Sequence, residues 1–379
     1  MRMIYLSPVP WASFSQRSHH FVAWYHEQTQ AQVLWIDPYP TRLPRHSDFR
    51  RSPTVPNQKE AVSPHWLKVV KPKVLPIEPI PGSGLLQTLL WRKVIKKAMT
   101  FAAEDSCMIC VGKPSALALQ LLECLPESYA VYDAMDDFPA FYQGLSRRSM
   151  AARERLLVER VSKILVSSTA IGKTLGALAD KVELALNACD IQGLAPIESL
   201  VLDSKQQLLG YVGTIGSWFD WDLTIALAHA NPENRIQLIG PIFTPPPGPL
   251  PGNIELLPEC PHAEAIAAMA TFSVGLIPFK ISRLTDSVDP IKYYEYRSLG
   301  LPVISTHFGE MALRNKETAV WLIDENSDLR QTSLLALDYR CDVSRIQAFR
   351  QENLWATRFS STRLLADARA GSRLSQVAD

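Results

Sequence analysis

The chain has no apolar run that approaches the ~18 to 20 residues a membrane-spanning helix requires. Its opening stretch, MRMIYLSPVPW, lacks the charged-then-apolar order of a secretory signal, so a cytoplasmic location is expected. An excess of charge of one sign is also missing. The 39 Lys and Arg nearly balance 38 Asp and Glu, for a net charge of +1, which removes the broad cationic field expected of a protein that lives on nucleic acid. No nucleic-acid partner is expected, and only local basic patches remain open. Cysteine is sparse: six are scattered, and the close pair Cys107 and Cys110 lies in the strand-like run SCMICVGKP. Without a second CxxC the pair fits core packing better than redox or metal chemistry. Cys260 and His262 in PECPH are too few to hold zinc. No internal repeat or low-complexity tract is present.

What the sequence does have is alternation. With 379 residues, 47% of them hydrophobic and 20% charged, the chain is long enough for two cores. Strand-like runs, MRMIYLSP, AQVLWIDP, SCMICVG, YAVYDAM and KILVSST, then LLGYVGT, RIQLIGP, NIELLP, FSVGLIPF, LPVIST and AVWLID, alternate with amphipathic helical stretches. That is the pattern of parallel sheets covered by helices on both faces. The expected fold class is α/β, with two Rossmann-like doubly wound lobes. The stretch 186–207, rich in turn residues and without clear periodicity, should hold the boundary, which places an N-terminal lobe at 1–195 and a second lobe from 196.

In open parallel sheets ligands bind beyond the carboxyl ends of the strands, so the loops after strands carry the functional search. GYVGTIGSWFDWDL puts Gly213, Thr214 and Gly216 between a strand and a helix beginning near Asp220 or Asp222. Glycines let N–H groups approach an anion, although tight packing explains such a turn equally well. DPIKYYEYRSLGLPVIST starts a helix at Pro290 and ends it at Gly300 and Pro302, with Lys292 and Glu295 on one side. The bland reading is a surface ion pair worth ~0.3 kcal/mol. Because LPVIST reads as a buried strand, the helix should instead dock with its N-terminus toward a cleft between the lobes. There the cation can neutralise phosphate and the carboxylate can accept both hydroxyls of a ribose.

Two loops of the first lobe also stand out. VYDAMDDFPAF places Asp136 and Asp137 directly after a strand and before aromatic residues, against the alternative of a surface acidic turn. SPVPWASFSQRSHHF follows the first strand and offers Gln16, Arg17 and His19, with a solvated loop as the equal alternative. Finally, 83–101 sets Leu85, Leu86, Leu89, Leu90, Val94 and Met99 against Arg92, Lys93, Lys96 and Lys97. A core-facing helix with a wet basic face explains that pattern, and so does a helix lying on an anionic membrane surface.

These residues carry a resemblance. DPIKYYEYRSLGLPVIST resembles the donor-binding signature of GT-B nucleotide-sugar glycosyltransferases, of the groups that build exopolysaccharide, capsule or teichuronic-acid-like glycans. GYVGTIGSWFDWDL, NIELLPECPHAEAIAAMATFSVGLIPF and NACD resemble the family's second-lobe strands and the end of its first lobe. The likeness is continuous over roughly 205–360 and looser before it. ENLWATRF resembles the terminal helix that returns to the first lobe, which divides the second part into 196–350 and a returning segment at 351–379.

The resemblance implies Glu295 at the ribose, Lys292 at the diphosphate or sugar, and the Gly213, Thr214 and Gly216 loop under the phosphates, with Asp289 and Tyr294 in the same signature. Two departures matter. Ser287 stands where many relatives have a glutamate, leaving Asp289 as the nearest carboxylate. The basic pair that often follows the first strand of the second lobe is absent, so Lys280 or Arg283 is expected to supply that charge. In the first lobe the resemblance implies Asp136 as general base, Asp137 as its orienting neighbour or a helix cap, and Gln16, Arg17 and His19 facing acceptor or pyrophosphate, although Ser18 replaces the family's proline.

The expected activity is therefore transfer of a sugar from a nucleoside diphosphate sugar to a hydroxyl of a glycan or lipid-linked oligosaccharide, catalysed by Asp136 and Lys292. No cofactor and no metal are expected, and contact with the inner membrane surface would run through 83–101. A nucleotide-sugar epimerase on the same fold, and a non-catalytic nucleotide-sugar-binding component of an assembly complex, are the alternatives.

Overall fold

The computed structural model describes residues 1–41, 63–73, 90–176, 181–190 and 207–377, with 371–377 in backbone alone. The chain forms two compact units. One comprises 1–167, 171–185 and 359–379, and the other 168–170 and 186–358. The principal crossing thus falls between 185 and 186, and the return near 359, whereas the sequence suggested 195 and 351. Residues 191–206, most of the expected boundary stretch, lie outside the described residues.

In the first unit β1 (Arg2–Leu6), α1 (Arg17–Thr29), β2 (Val33–Ile36) and β3 (Leu67–Val70) are followed by α2 (Arg92–Ala102), β4 (Cys107–Val111), α3 (Ala116–Cys124) and β5 (Tyr129–Ala134). A short 3-10 turn at Phe138–Phe141, α4 (Gly144–Arg160), β6 (Lys163–Val166), α5 (Thr169–Leu175) and β7 (Val182–Leu184) come next. The sheet order is β3-β2-β1-β4-β5-β6-β7 and every described pairing is parallel. Its central strands are apolar throughout because helices cover both faces. The edge strands β3 and β7 went unread in the sequence because they are short and half solvated.

The second unit repeats the design with β8 (Leu208–Val212), α6 (Trp221–Ala230), β9 (Arg235–Ile239), β10 (Ile254–Leu257), α7 (His262–Ala270), β11 (Val274–Ile277), α8 (Ile291–Ser298), β12 (Val303–Thr306) and β13 (Val320–Ile323). Then α9 (Leu329–Asp338), α10 (Val343–Glu352) and α11 (Trp355–Ser360) follow, and α12 (Leu364–Val377) belongs to the first unit. The order β10-β9-β8-β11-β12-β13 reverses direction between β8 and β11, as the first sheet does between β1 and β4. Such a reversal opens a crevice at the carboxyl ends of the strands.

The returning segment is tied into the first unit. Phe359 sets its ring edge-on to Phe21 at 5.0 Å, and Trp24 Nε1–H donates to Ser360 Oγ at 2.9 Å. Lys163 Nζ bonds both Glu183 at 2.7 Å and Asp367 at 2.9 Å.

Candidate functional site

The crevice of the second unit begins at the loop after β8. Gly213 sits at φ +153, and a Cβ there would fall 2.8 Å from Tyr211 Oη. Gly240, at φ +142, brings the loop after β9 so close that its Cβ would meet Gly213 O at 2.1 Å. Only glycine satisfies both positions. Tyr211 Oη–H donates to Thr214 O at 2.9 Å, which fixes the turn, and Gly216 is covered by the Trp218 ring. The helix starts where the sequence indicated, at Trp221 with Asp220 as N-cap accepting from Leu223 N–H at 3.0 Å. That cap takes one N–H of the first turn, and Gly213 N–H is itself donated to Ile239 O at 2.9 Å, so within the loop it is the backbone N–H of Thr214 that is left for an anion.

The loop after β11 folds around Thr285, whose hydroxyl donates to Lys280 O at 2.5 Å and accepts from Ser282 N–H at 3.0 Å. Gly309, at φ +44, presses the loop after β12 onto it, with space for a Cβ removed by Val288 O at 2.2 Å. Lys280 and Arg283 project into solvent, and neither has an ion-pair partner among the described residues.

The charges of α8 meet each other. Lys292 Nζ lies 2.5 Å from Glu295 Oε2, their side chains 24% and 9% exposed. Both sit in the first turns of a helix that follows β11 and therefore shares the carboxyl edge of the sheet with the Gly213 loop. Asp289 and Tyr294, drawn from the same motif, are buried in a network. Asp289 accepts from Arg314 Nη2 at 2.8 Å, from Asn187 N–H at 2.7 Å and from Tyr294 Oη at 2.9 Å. Arg314 stacks 3.9 Å from the Tyr293 ring. Asn187 and Arg314 were not singled out from sequence. The NACD segment carried the first, while nothing local marks the second.

In the first unit Asp136 follows β5, partly open to solvent, and its carboxylate has no hydrogen-bond partner among the described residues. Desolvation by the surrounding atoms, then the charges of Asp133 and Asp137, outweigh the opposing Arg17 and push its pKa up to about 7. Glu154, which accepts from Tyr132 Oη at 2.7 Å, is likewise raised by burial to about 7. Asp137 precedes the 3-10 turn without a side-chain cap.

The loop after β1 is exposed at Pro10, Phe14 and Ser15, but Arg17, Ser18 and His19, where α1 begins, turn inward. Arg17, 3% exposed, forks onto Asp133, 0% exposed, through Nη2 at 2.8 Å and Nε at 2.9 Å. Its Nη1 donates to Ala185 O at 2.7 Å. Asp133 was not singled out from sequence, and its place in the otherwise apolar YAVYDA is the one local sign that a buried charge there needs a partner. His19 stacks against Trp11 and Trp35 at 5.1 and 5.0 Å. It accepts Gln16 N–H at Nδ1 and approaches Trp11 O with Nε2, a pattern that assigns the neutral Nε2–H tautomer, and burial lowers its pKa. Gln16 is the N-cap residue of α1.

Residues 83–89 of the basic stretch, with Leu85, Leu86 and Leu89, lie outside the described residues. Within α2, Val94, Ile95, Ala98 and Phe101 are buried while Arg92, Lys93, Lys96 and Lys97 are exposed. No described helix is long and apolar enough to cross a membrane. Among the described residues no group of three or more His, Cys, Asp or Glu side chains is arranged to hold a metal ion.

Two doubly wound parallel units in one chain, with the closing helix returned to the first, define the GT-B fold. The putative teichuronic acid biosynthesis glycosyltransferase TuaH of Bacillus subtilis (strain 168) is 25% identical over 211 residues, covering 47% of this chain and 50% of TuaH. This chain thus spans about half the length of the curated relative it matches. Among solved structures, Anabaena Alr3699/HepE in complex with UDP and glucose superposes with a TM-score of 0.61 at 13% identity, covering 98% of this chain and 99% of the other. AviGT4, a glycosyltransferase involved in avilamycin A biosynthesis, gives 0.60 at 13%, covering 98% of each chain. The E. coli trehalose-6-phosphate structure bound with UDP-2-fluoro glucose gives 0.62 at 10%, covering 97% and 99%. No family model matches the chain.

Proposed function

We propose that the protein is a glycosyltransferase that moves a sugar from a nucleoside diphosphate sugar to a hydroxyl of a glycan or lipid-linked oligosaccharide in surface polysaccharide synthesis. The observation that carries this reading is the Lys292–Glu295 pair on α8, at the carboxyl edge of a sheet whose switch-point loop takes a shape that Gly213 and Gly240 alone permit. Glu295 accepts hydrogen bonds from the ribose hydroxyls, and Lys292 beside it turns to the diphosphate. Thr214 offers its backbone N–H from the turn that Gly213 shapes, and Lys280 and Arg283 supply the remaining cations. UDP is the nucleotide bound in the HepE structure, and a uridine donor is proposed here.

In the reaction the acceptor oxygen bonds to the anomeric carbon as the bond from that carbon to the diphosphate oxygen breaks. Asp136 takes the acceptor proton, while Lys292 and the Thr214 N–H stabilise the leaving charge. Asp289 and Tyr294 serve the site indirectly, by bracing the start of α8 against Arg314. Arg17 and His19 likewise shape the first unit and do not touch substrate.

The test is a thermal-shift screen against UDP and GDP sugars, followed by product analysis with a labelled donor. A ligand that binds the native state raises the melting temperature. The reading requires a shift with at least one nucleotide sugar and transfer of label to an added glycan. Free epimer as product, or binding without turnover, overturns it.

A further inference from the structure

In the first unit α3 lies between α2 and α4 and touches both, and the three share one core with Ile4, Ile109 and Ile164 of the sheet. A helix in such a layer normally turns a polar face outward. The outer surface of α4 departs from that rule. Met150, Leu157 and Val158 face the core, yet Leu145 is 69% and Leu156 41% exposed on the opposite side, with exposed Ala152 between them at helical spacing. Phe141, just before the helix, is half exposed. Arg148 and Arg155, both exposed, border this stripe along one side. Neither has an ion-pair partner among the described residues. The same holds for Arg92, Lys93, Lys96 and Lys97 on α2, where Leu90 and Met99 are exposed. The nearby acids are largely engaged, Glu123 with Arg160 and Glu154 with Tyr132. Glu159 is the exposed exception on α4.

We propose that the outer face of α2 and α4 docks on an anionic lipid bilayer. The pattern selects this occupant over others. A second copy would bring six like-signed, unneutralised side chains against their own kind in a two-fold interface. A nucleic-acid backbone would take the cations but leave Leu145, Leu156 and Phe141 without a counterpart. A bilayer accepts both, with headgroups meeting Arg and Lys and the acyl boundary meeting the apolar stripe. This proposal widens the basic helix noted in the sequence to a two-helix surface and stands independently of the transfer reaction.

The experiment is sedimentation of the whole protein with vesicles of phosphatidylglycerol and phosphatidylcholine, and with phosphatidylcholine alone. Binding is expected to the first mixture only, to weaken with added salt, and to fall at least about tenfold in Arg148→Glu/Arg155→Glu, given about fivefold per cation near a charged surface. Leu145→Ser/Leu156→Ser should weaken binding in low salt without altering its salt dependence. Circular dichroism and the melting temperature of each variant report that the fold is intact. Absence of pelleting, equal pelleting with neutral vesicles, or binding indifferent to both α4 variants overturns the proposal. Binding that duplex DNA displaces and the leucine changes do not affect also overturns it, in favour of a nucleic-acid partner.

Discussion

Lys292 and Glu295 form an ion pair across the first turns of α8, the carboxylate buried and the ammonium about a quarter exposed. Ribose hydroxyls that donate to Glu295 would compete with Lys292 for its oxygens, which couples donor binding to the position of the lysine. Glu295→Ala should weaken UDP-sugar binding by ~1.5 to 3 kcal/mol, the range for hydrogen bonds to a charged group. Titration calorimetry with the nucleotide sugar identified by screening reads this directly, and an unchanged Kd removes Glu295 from the ribose.

Lys292→Ala should act differently. If the cation serves the leaving diphosphate, kcat falls more than donor affinity, because interactions that strengthen in the transition state appear in the chemical step. Equal losses in kcat and Kd would mark Lys292 as an anchor.

Asp136→Asn should lower turnover at least ~100-fold with donor affinity intact. Because its carboxyl titrates near 7, parental activity should rise as pH increases through about 7 and then level off. The same variant should gain stability. A carboxyl raised from 3.8 to about 7 favours the native state in full below about pH 4 and loses that contribution as pH rises through about 7. Asparagine has no such loss, so its urea midpoint should exceed the parental one at about pH 8 and approach it at about pH 4.

Arg17→Met should destabilise by roughly 3 to 5 kcal/mol, since it strands Asp133 as an unpaired buried charge. Replacing both residues, as Arg17→Met/Asp133→Leu, should recover much of the loss, because removing the whole pair also removes its desolvation cost. Urea unfolding of the single and double variants checks the sign of the coupling.

Most strands and the α8 motif were legible because their signals are local. Apolar runs of four to six residues bounded by turns, and Lys292 with Glu295 at helical spacing, need no tertiary information. The buried networks were not legible for the opposite reason. Arg17 in a hydrophilic-looking loop and Asp133 in a strand are 116 residues apart, and Asp289 meets Asn187 at a separation of 102. Polarity alone reads such side chains as solvent-facing or substrate-facing, and only the partner at the other end of the fold shows that they are paired inside it. The edge strands β3 and β7 were lost because half-solvated positions dilute the apolar pattern.

The tie between Lys163 and Asp367 spans 204 residues, with the whole second unit encoded between them. During synthesis at ~5 to 20 residues per second, the first unit therefore waits on the order of ten seconds or more for its closing helix. The second unit can fold to completion in that interval. The order of maturation is thus the reverse of the order of translation at the start of the chain. Lys163, the Phe21 and Trp24 rings and the first sheet's helical cover remain incomplete until the returning segment emerges, which makes the nascent first unit the species that a ribosome-associated chaperone would meet.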